Sequence, residues 1–383
     1  MINPQLPVPS AAASVSSQAL QNLIAEEITK NDNFIPFSRF MELTLYAPEC
    51  GYYTGGAHKI GAAGDFITAP TLSPLFGQTL ARQIAAVLPQ TDGNIYEFGA
   101  GTGELAATLL QQLSDGLNHY YIIELSSELA ERQRRHILEK APQAANKVIH
   151  LNALPDAFDG IIIGNEVLDA MPCEIVKREH GSFWQMGVSL ENQSFIQTAR
   201  PLVQEELLKA AAEYFPASEP YTSELHPAQH AFIRTLAEKL VRGGMIFIDY
   251  GFDAAQYYHP QRHMGTFIGH YRHHTVHNPF FHIGLTDLTA HVNFTDIALA
   301  GTDAGLDLIG YTTQANFLLN LGITEMLAQT AAPDSADYIR ETAAVHKLVG
   351  QHEMGELFKV IAFGRGIDID WQGFMFGDIC HKL

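Results

Sequence analysis

Three glycines at alternate positions, Gly99, Gly101 and Gly103, stand between a short apolar stretch at 94–98 and a run, 104–113, whose apolar residues recur at helical spacing. A turn without Cβ atoms, entered from a strand and left through a helix, lets the backbone close on a ligand at the helix N-terminus. Glu124 follows Gly103 by 21 residues, at the end of Tyr120-Tyr121-Ile122-Ile123. A carboxylate about 20 residues beyond such a turn places two acceptor oxygens at the tip of the second strand, where a ribose diol needs them. A nucleoside cofactor is therefore expected on Gly99, Gly101, Gly103 and Glu124. The plainer alternative is a glycine-rich turn that holds nothing.

The spacing narrows the nucleoside. Dinucleotide sites use G-x-G-x-x-G, with a pyrophosphate on the helix N-terminus. Here the glycines fall as G-x-G-x-G and Glu104 follows at once, a charge that would repel a pyrophosphate. Glu97 precedes the first glycine, giving E-x-G-x-G-x-G. That is the usual first motif of S-adenosylmethionine (SAM) enzymes, and a carboxylate suits a cofactor carrying an amine and a sulfonium. An NAD-dependent oxidoreductase is the weaker reading.

A second constellation lies at Ile161-Ile162-Ile163-Gly164-Asn165-Glu166-Val167-Leu168-Asp169. An apolar strand would deliver Asn165 and Glu166 at its carboxyl end, where open α/β sheets bind ligands. A helical turn starting there would put Glu166 and Asp169 on one face, or would leave Asn165 as a mere N-cap. Small residues surround Asp65 and Phe66 in Gly64-Asp65-Phe66-Ile67-Thr68-Ala69-Pro70, which reads as a loop folding over a ligand or as a surface turn. His291 sits in Asp287-Leu288-Thr289-Ala290-His291-Val292-Asn293-Phe294, either orienting a substrate or carboxylate or satisfied in the core. Eight histidines occur between His259 and His291, but the one i,i+4 pair considered, His259 and His263, is split by Pro260, so no metal site is expected.

Strand candidates at 94–98, 120–124, 148–151 and 160–164 alternate with helix candidates at 104–113 and 127–140. This rhythm predicts an α/β fold with a doubly wound parallel sheet. A hairpin is expected at 174–178 and 183–188, helices at 203–213 and 226–241, and a buried strand at 245–250. A long irregular segment, 251–293, carries Tyr257, Tyr258, Phe267, Tyr271, Phe280 and Phe281, too aromatic for a disordered linker. The chain divides on this reading into a disordered lead at 1–17, a helical region with a covering loop at 18–90, a cofactor-binding core at 91–175, a hairpin and helical insertion at 176–240, and a completion of the sheet at 241–383 that includes the aromatic loop.

The 383 residues carry a formal charge of −19, a poor electrostatic match for a nucleic-acid backbone and a fair one for a basic substrate, although, taken alone, an acidic surface is better explained by plain solubility. Hydrophobic residues make up 46% of the chain, enough for a core, with no run approaching a membrane span. Cys50, Cys173 and Cys380 lie far apart and form neither a zinc spacing nor a disulfide framework, which fits a reducing cytoplasm.

Several segments together carry a resemblance. Leu45-Tyr46-Ala47-Pro48-Glu49-Cys50-Gly51-Tyr52-Tyr53, Gly64 to Pro70, Glu97 to Ala106, Gly164 to Pro172, Gly243 to Gly251, Gly265-Thr266 with His270-Tyr271-Arg272-His273, and Asp287 to Phe294 occur in this order. The chain resembles the bacterial members of the SAM-dependent methyltransferases typified by the mitochondrial complex I assembly factor 7 protein, the MidA family. The resemblance implies a Rossmann-like class I SAM methyltransferase sheet with additional helices and insertions. For the mitochondrial relative it implies a protein-arginine substrate on a respiratory-complex subunit. Ala100 stands where the family often has proline, which leaves the turn intact.

An arginine methyltransferase must hold an always-charged guanidinium and take up its proton. Glu166 is the expected catalytic carboxylate, with Asp169, Asp65 and His291 in support. Glu97, Gly99, Gly101, Gly103, Glu124, Asn165, Phe66 and Thr68 are expected to hold the cofactor. The partner is then a protein with an accessible arginine, with no nucleic acid and no membrane span. A small-molecule O- or N-methyltransferase and an assembly chaperone without turnover stay open as alternatives.

Overall fold

The computed structural model describes residues 6–55, 68–330, 332–333 and 335–383. The described chain forms two compact units, each drawn from three separated stretches.

The first unit to consider takes residues within 67–168, 232–251 and 294–383. Seven strands carry it: β1 (Asn94–Phe98), β2 (His119–Ile123), β3 (Val148–Leu151), β4 (Phe158–Asn165), β5 (Leu240–Phe252), β6 (Asp307–Thr313) and β7 (Phe358–Arg365). They lie in the order β3-β2-β1-β4-β5-β7-β6. The pairs among β1 to β5 are parallel, and β7 runs antiparallel to both β5 and β6. The strand order reverses between β1 and β4, which makes their carboxyl ends a topological switch point. This is the doubly wound α/β sheet expected from the βα rhythm, but β7 makes it mixed rather than wholly parallel.

Ile161, Ile162 and Ile163 in β4 are all fully buried, which is why the strand reads as an unbroken apolar run rather than an alternating one. Helix Glu104–Leu113 buries Leu105, Ala106, Leu109, Leu110 and Leu113 in the same core as Ile95 and Ile161. Helix Ser127–Lys140 starts at Ser126, whose hydroxyl accepts from the Leu129 N–H at 3.3 Å. Three strands meet closely at Gly160, where φ is +145° and an added Cβ would stand 2.1 Å from the Asn94 carbonyl oxygen.

The other unit takes the described residues of 1–66 with 169–231 and 252–293. Its main sheet pairs Ile35–Pro36, Ser182–Glu191, Glu174–Glu179 and Tyr221–Leu225 in that order, with Ser194–Pro201 added beside Ser182–Glu191. The expected hairpin forms over Glu174–Glu179 and Ser182–Glu191, closed by His180 and Gly181 at φ +52° and +72°. Two positive φ values match the twist of a two-residue hairpin turn.

Three expectations change. Helix Ala11–Lys30 begins inside the lead read as disordered. Its alanines favour the helix, Ser10 caps it, and the Ser17 hydroxyl donates to the Ile283 carbonyl at 2.7 Å. The segment 251–293 is not irregular throughout: it carries helix Ala254–Tyr257 and a three-stranded sheet of His274–Val276, Ile268–Tyr271 and Asp287–Thr289. The helix expected to run through 241 ends at Lys239, and the chain passes directly into β5. Among the described residues, no helix is long and apolar enough to cross a membrane.

The crowding at Gly160 yields a test. Gly160→Ala should lower the unfolding free energy by about 2 kcal/mol or more, because both the φ and the Asn94 oxygen oppose a Cβ. Gly116→Ala, in open space, should change it by less than about 0.5 kcal/mol. Urea unfolding curves that coincide for the two variants would remove the close approach as a constraint.

Candidate active site

The turn after β1 holds Gly99, Gly101 and Gly103 at φ +65°, +53° and +84°, the left-handed region in all three cases. Gly103 is the N-cap of helix Glu104–Leu113, and its carbonyl accepts from the Ala107 N–H at 2.9 Å. The turn therefore presents backbone rather than side chains at the carboxyl end of the sheet. Glu104, in the first turn, meets His136 Nε2 at 2.7 Å.

Glu97 lies near the end of β1, only 2% exposed, and accepts a hydrogen bond from the Tyr120 hydroxyl at 2.8 Å. Burial pushes its pKa up to about 7, while the Tyr120 bond works against that rise. Glu124 follows β2. One carboxylate oxygen accepts from the Ser126 N–H at 2.9 Å and the other from Gln133 Nε2 at 3.1 Å. Burial raises its pKa and these bonds oppose the shift. Each oxygen keeps acceptor capacity, as a ribose diol requires. The bare turn and this carboxylate fit an adenosyl cofactor.

At the end of β4 the chain does not enter a helix. Glu166 adopts φ +55° and its N–H donates to the Ile248 carbonyl at 2.9 Å. The Val167 and Leu168 N–H groups then donate to one oxygen of Asp249, at 3.1 and 2.9 Å. The helical turn considered from sequence is thus absent. Glu166 and Asp169 do not share a helix face, and Asn165 is not an N-cap. Asn165 instead donates from Nδ2 to Glu166 Oε1 at 3.1 Å. Asp249, 1% exposed, is thus the buried receiver for the backbone that follows β4. Its signal in the sequence is a lone acid ending the apolar run Met245 to Ile248.

One unit therefore contains Glu97, Gly99, Gly101, Gly103, Glu124, Asn165 and Glu166 at the carboxyl ends of β1, β2 and β4. It also contains Thr68, whose carbonyl accepts from the Thr71 and Leu72 N–H groups at 3.0 and 3.1 Å to open helix Ala69–Leu72. Asp65 and Phe66 lie outside the described residues. Among the described residues, no group of three or more His, Cys, Asp or Glu side chains gathers as metal ligands would.

Asp169 and His291 belong to the other unit. The Asp169 carbonyl accepts from the Ala290 N–H at 3.1 Å. Tyr53 donates to both carboxylate oxygens of Asp287, at 3.0 and 3.1 Å, and Tyr46 stacks on Tyr53 at 5.5 Å. Burial, then the charges of Asp287 and Asp169, drive both phenols well above their ordinary range. Asp287 and the two tyrosines are not among the site residues expected from sequence, although they fall in the Tyr46-to-Tyr53 and Asp287-to-Phe294 segments. The His291 N–H donates to Thr266 Oγ1 at 3.1 Å, and its ring stacks on Phe252 at 5.3 Å. Thr266 in turn is fixed by Glu224, a buried carboxylate that accepts from the Thr266 and Phe267 N–H groups at 3.0 Å and from the Tyr257 hydroxyl at 2.9 Å.

Two tests follow from this geometry. Glu124→Ala should weaken S-adenosylhomocysteine binding about ten-fold or more by calorimetry, the worth of a charge-assisted hydrogen bond; a change below about two-fold would place the ribose elsewhere. Glu97, with a folded pKa of about 7 against an unfolded value of 4.5, keeps its proton where the unfolded chain has lost it. Its contribution to stability is whole below pH 4.5 and lost as pH rises to about 7. Glu97→Gln should therefore gain on the wild type across that window, by no more than about 3 kcal/mol. Parallel stability–pH curves for the two proteins would contradict the assignment.

Comparison with known proteins bears out the adenosyl cofactor. The sequence model of a family of S-adenosyl-L-methionine-dependent methyltransferases matches residues 79–312. The crystal structure of a superfamily member from Burkholderia thailandensis bound to S-adenosyl-homocysteine is 47% identical, with a TM-score of 0.95, over 99% of this chain and 100% of that one. The protein arginine methyltransferase NDUFAF7, mitochondrial, of Danio rerio is 23% identical over 91% of this chain and 87% of its own length. The Drosophila melanogaster homolog is 25% identical over 87% and 82%. With three glycines turned left-handed after β1, a two-oxygen acceptor after β2 and a family match over most of the sheet, this chain belongs to the S-adenosyl-L-methionine-dependent methyltransferases.

Proposed function

We propose that the chain transfers methyl groups from SAM to the guanidinium of an arginine in a protein substrate, in the cytoplasm. The observation that carries this reading is Glu166, a carboxylate held at φ +55° just past the end of β4 by the Ile248 and Asp249 contacts. Bound SAM supplies an electrophilic methyl group. A guanidinium stays protonated in water, so a carboxylate that fixes its orientation also lowers the barrier to losing a proton as the nitrogen gains its methyl. Asn165 steadies Glu166 through its amide. The formal charge of −19 favours a basic partner. Relatives named as protein arginine methyltransferases, alignable over most of both chains, support the same substrate class.

The test uses labelled-methyl SAM and total protein from cells lacking the gene, followed by acid hydrolysis and separation of methylated amino acids. Label should appear in methylarginine. Glu166→Gln, which keeps volume and removes charge, should cut incorporation about 100-fold or more while S-adenosylhomocysteine affinity stays within about two-fold. Label confined to small molecules or to other residues would overturn the arginine reading, as would full activity in Glu166→Gln.

A further inference from the structure

We propose that Gln133 is a positioning residue for the cofactor: its side-chain amide ties the glycine turn to the carboxylate of Glu124 and presets the two together. The inference rests on Glu124 as the acceptor of the ribose diol.

Helix Ser127–Lys140 is charged over most of its surface, and its buried residues are Ala130, Gln133 and Ile137. Spacings of three and four place Gln133 in the stripe where an apolar residue would ordinarily pack. It is fully buried. An amide in that position is costly unless its atoms are paired. Here they are: Nε2 donates to the Gly101 carbonyl at 3.0 Å and to Glu124 Oε2 at 3.1 Å, and Oε1 faces His150 Nε2 at 3.0 Å.

The chemistry fixes the direction of every bond. The reversed amide would set its carbonyl against another carbonyl and a carboxylate, so the NH2 group must face Gly101 and Glu124. Oε1 can only accept, so His150 carries its proton on Nε2. The low pKa of His150, about 4 through burial, keeps that ring neutral near pH 7. The helix also abuts the turn, since a Cβ on Gly103 would stand 3.5 Å from Gln133 Cα and Cβ. One side chain thus sets the orientation of the middle peptide of the turn and one oxygen of Glu124. The Ser126 N–H, at 2.9 Å, sets the other oxygen. All of these bonds lie within the chain, so they hold the turn and the carboxylate in a fixed relation to each other.

Gln133→Met is the test, because methionine keeps the unbranched shape and suits a helix. Affinities for S-adenosylhomocysteine and for its 2′,3′-dideoxy analogue are measured by calorimetry in wild type, Gln133→Met, Glu124→Ala and the double variant. Gln133→Met should lose about five- to thirty-fold for S-adenosylhomocysteine, much less for the dideoxy analogue, and should add less than about two-fold in the Glu124→Ala background. Equal losses for both ligands, additive with Glu124→Ala, would mark a merely structural role and overturn the proposal. So would Gln133→Met within about two-fold of wild type while Glu124→Ala is damaged, a result that leaves the ribose assignment standing. An undamaged Glu124→Ala would overturn both. If Gln133→Met does not fold, His150→Leu removes the donor that fixes the amide. A loss of about two- to five-fold for S-adenosylhomocysteine then supports the proposal and unchanged affinity overturns it.

Discussion

Asp249 decides where Glu166 can be. When a parallel strand ends in the interior, the next backbone N–H groups have lost their ladder partners and must find others. After β4 the Val167 and Leu168 groups find one oxygen of Asp249, and the Glu166 group finds the Ile248 carbonyl. Both receivers sit on β5, the neighbouring strand. A left-handed backbone at a residue with a side chain costs about 1–3 kcal/mol, and it persists only where surrounding bonds over-determine it. Three such bonds converge here. The strain is therefore attached to a frame, and the carboxylate emerging from it has a defined origin.

The same principle organises the cofactor side. The glycine turn accepts left-handed angles without strain, but freedom alone would leave it loose. Gln133 removes that freedom by holding the Gly101 carbonyl, and it does so from a helix whose start is fixed by Ser126. Buried polar groups recur through both units, among them Glu97 with Tyr120, and Glu224 with Thr266 and Tyr257. Each is bonded to neighbours on other elements, so each specifies a tertiary arrangement rather than a local one.

Local pattern made much of this legible. The strands β1 to β4, the helices Glu104–Leu113 and Ser127–Lys140, and the hairpin over 174–191 all follow from periodicity and turn chemistry, because the signals that make each element lie within its own stretch of chain. The cofactor class is legible for the same reason: the motif that points to it is contained in one strand–turn–helix unit. What stayed hidden depends on partners far off in sequence. Nothing near Asp249 shows that it receives the Val167 and Leu168 N–H groups, 82 and 81 residues earlier, and Gln133 resembles any polar residue of a charged helix until Gly101 and His150 are seen beside it. The lead helix from Ala11 is not legible locally, because its alanines and serines look like linker until Ser17 and Leu20 find a buried face.

The position of β7 has a consequence for synthesis. It occupies the slot between β5 and β6 yet lies at Phe358–Arg365, near the end of the 383 residues. On a ribosome, β5 emerges more than a hundred residues before the strand that will cover its free edge. Throughout that interval the apolar stretch Met245 to Ile248 offers unpaired backbone to any passing strand. The sheet cannot close until β7 is made, so a chain that stops between β6 and β7 leaves the edge of β5 open to pairing with another chain.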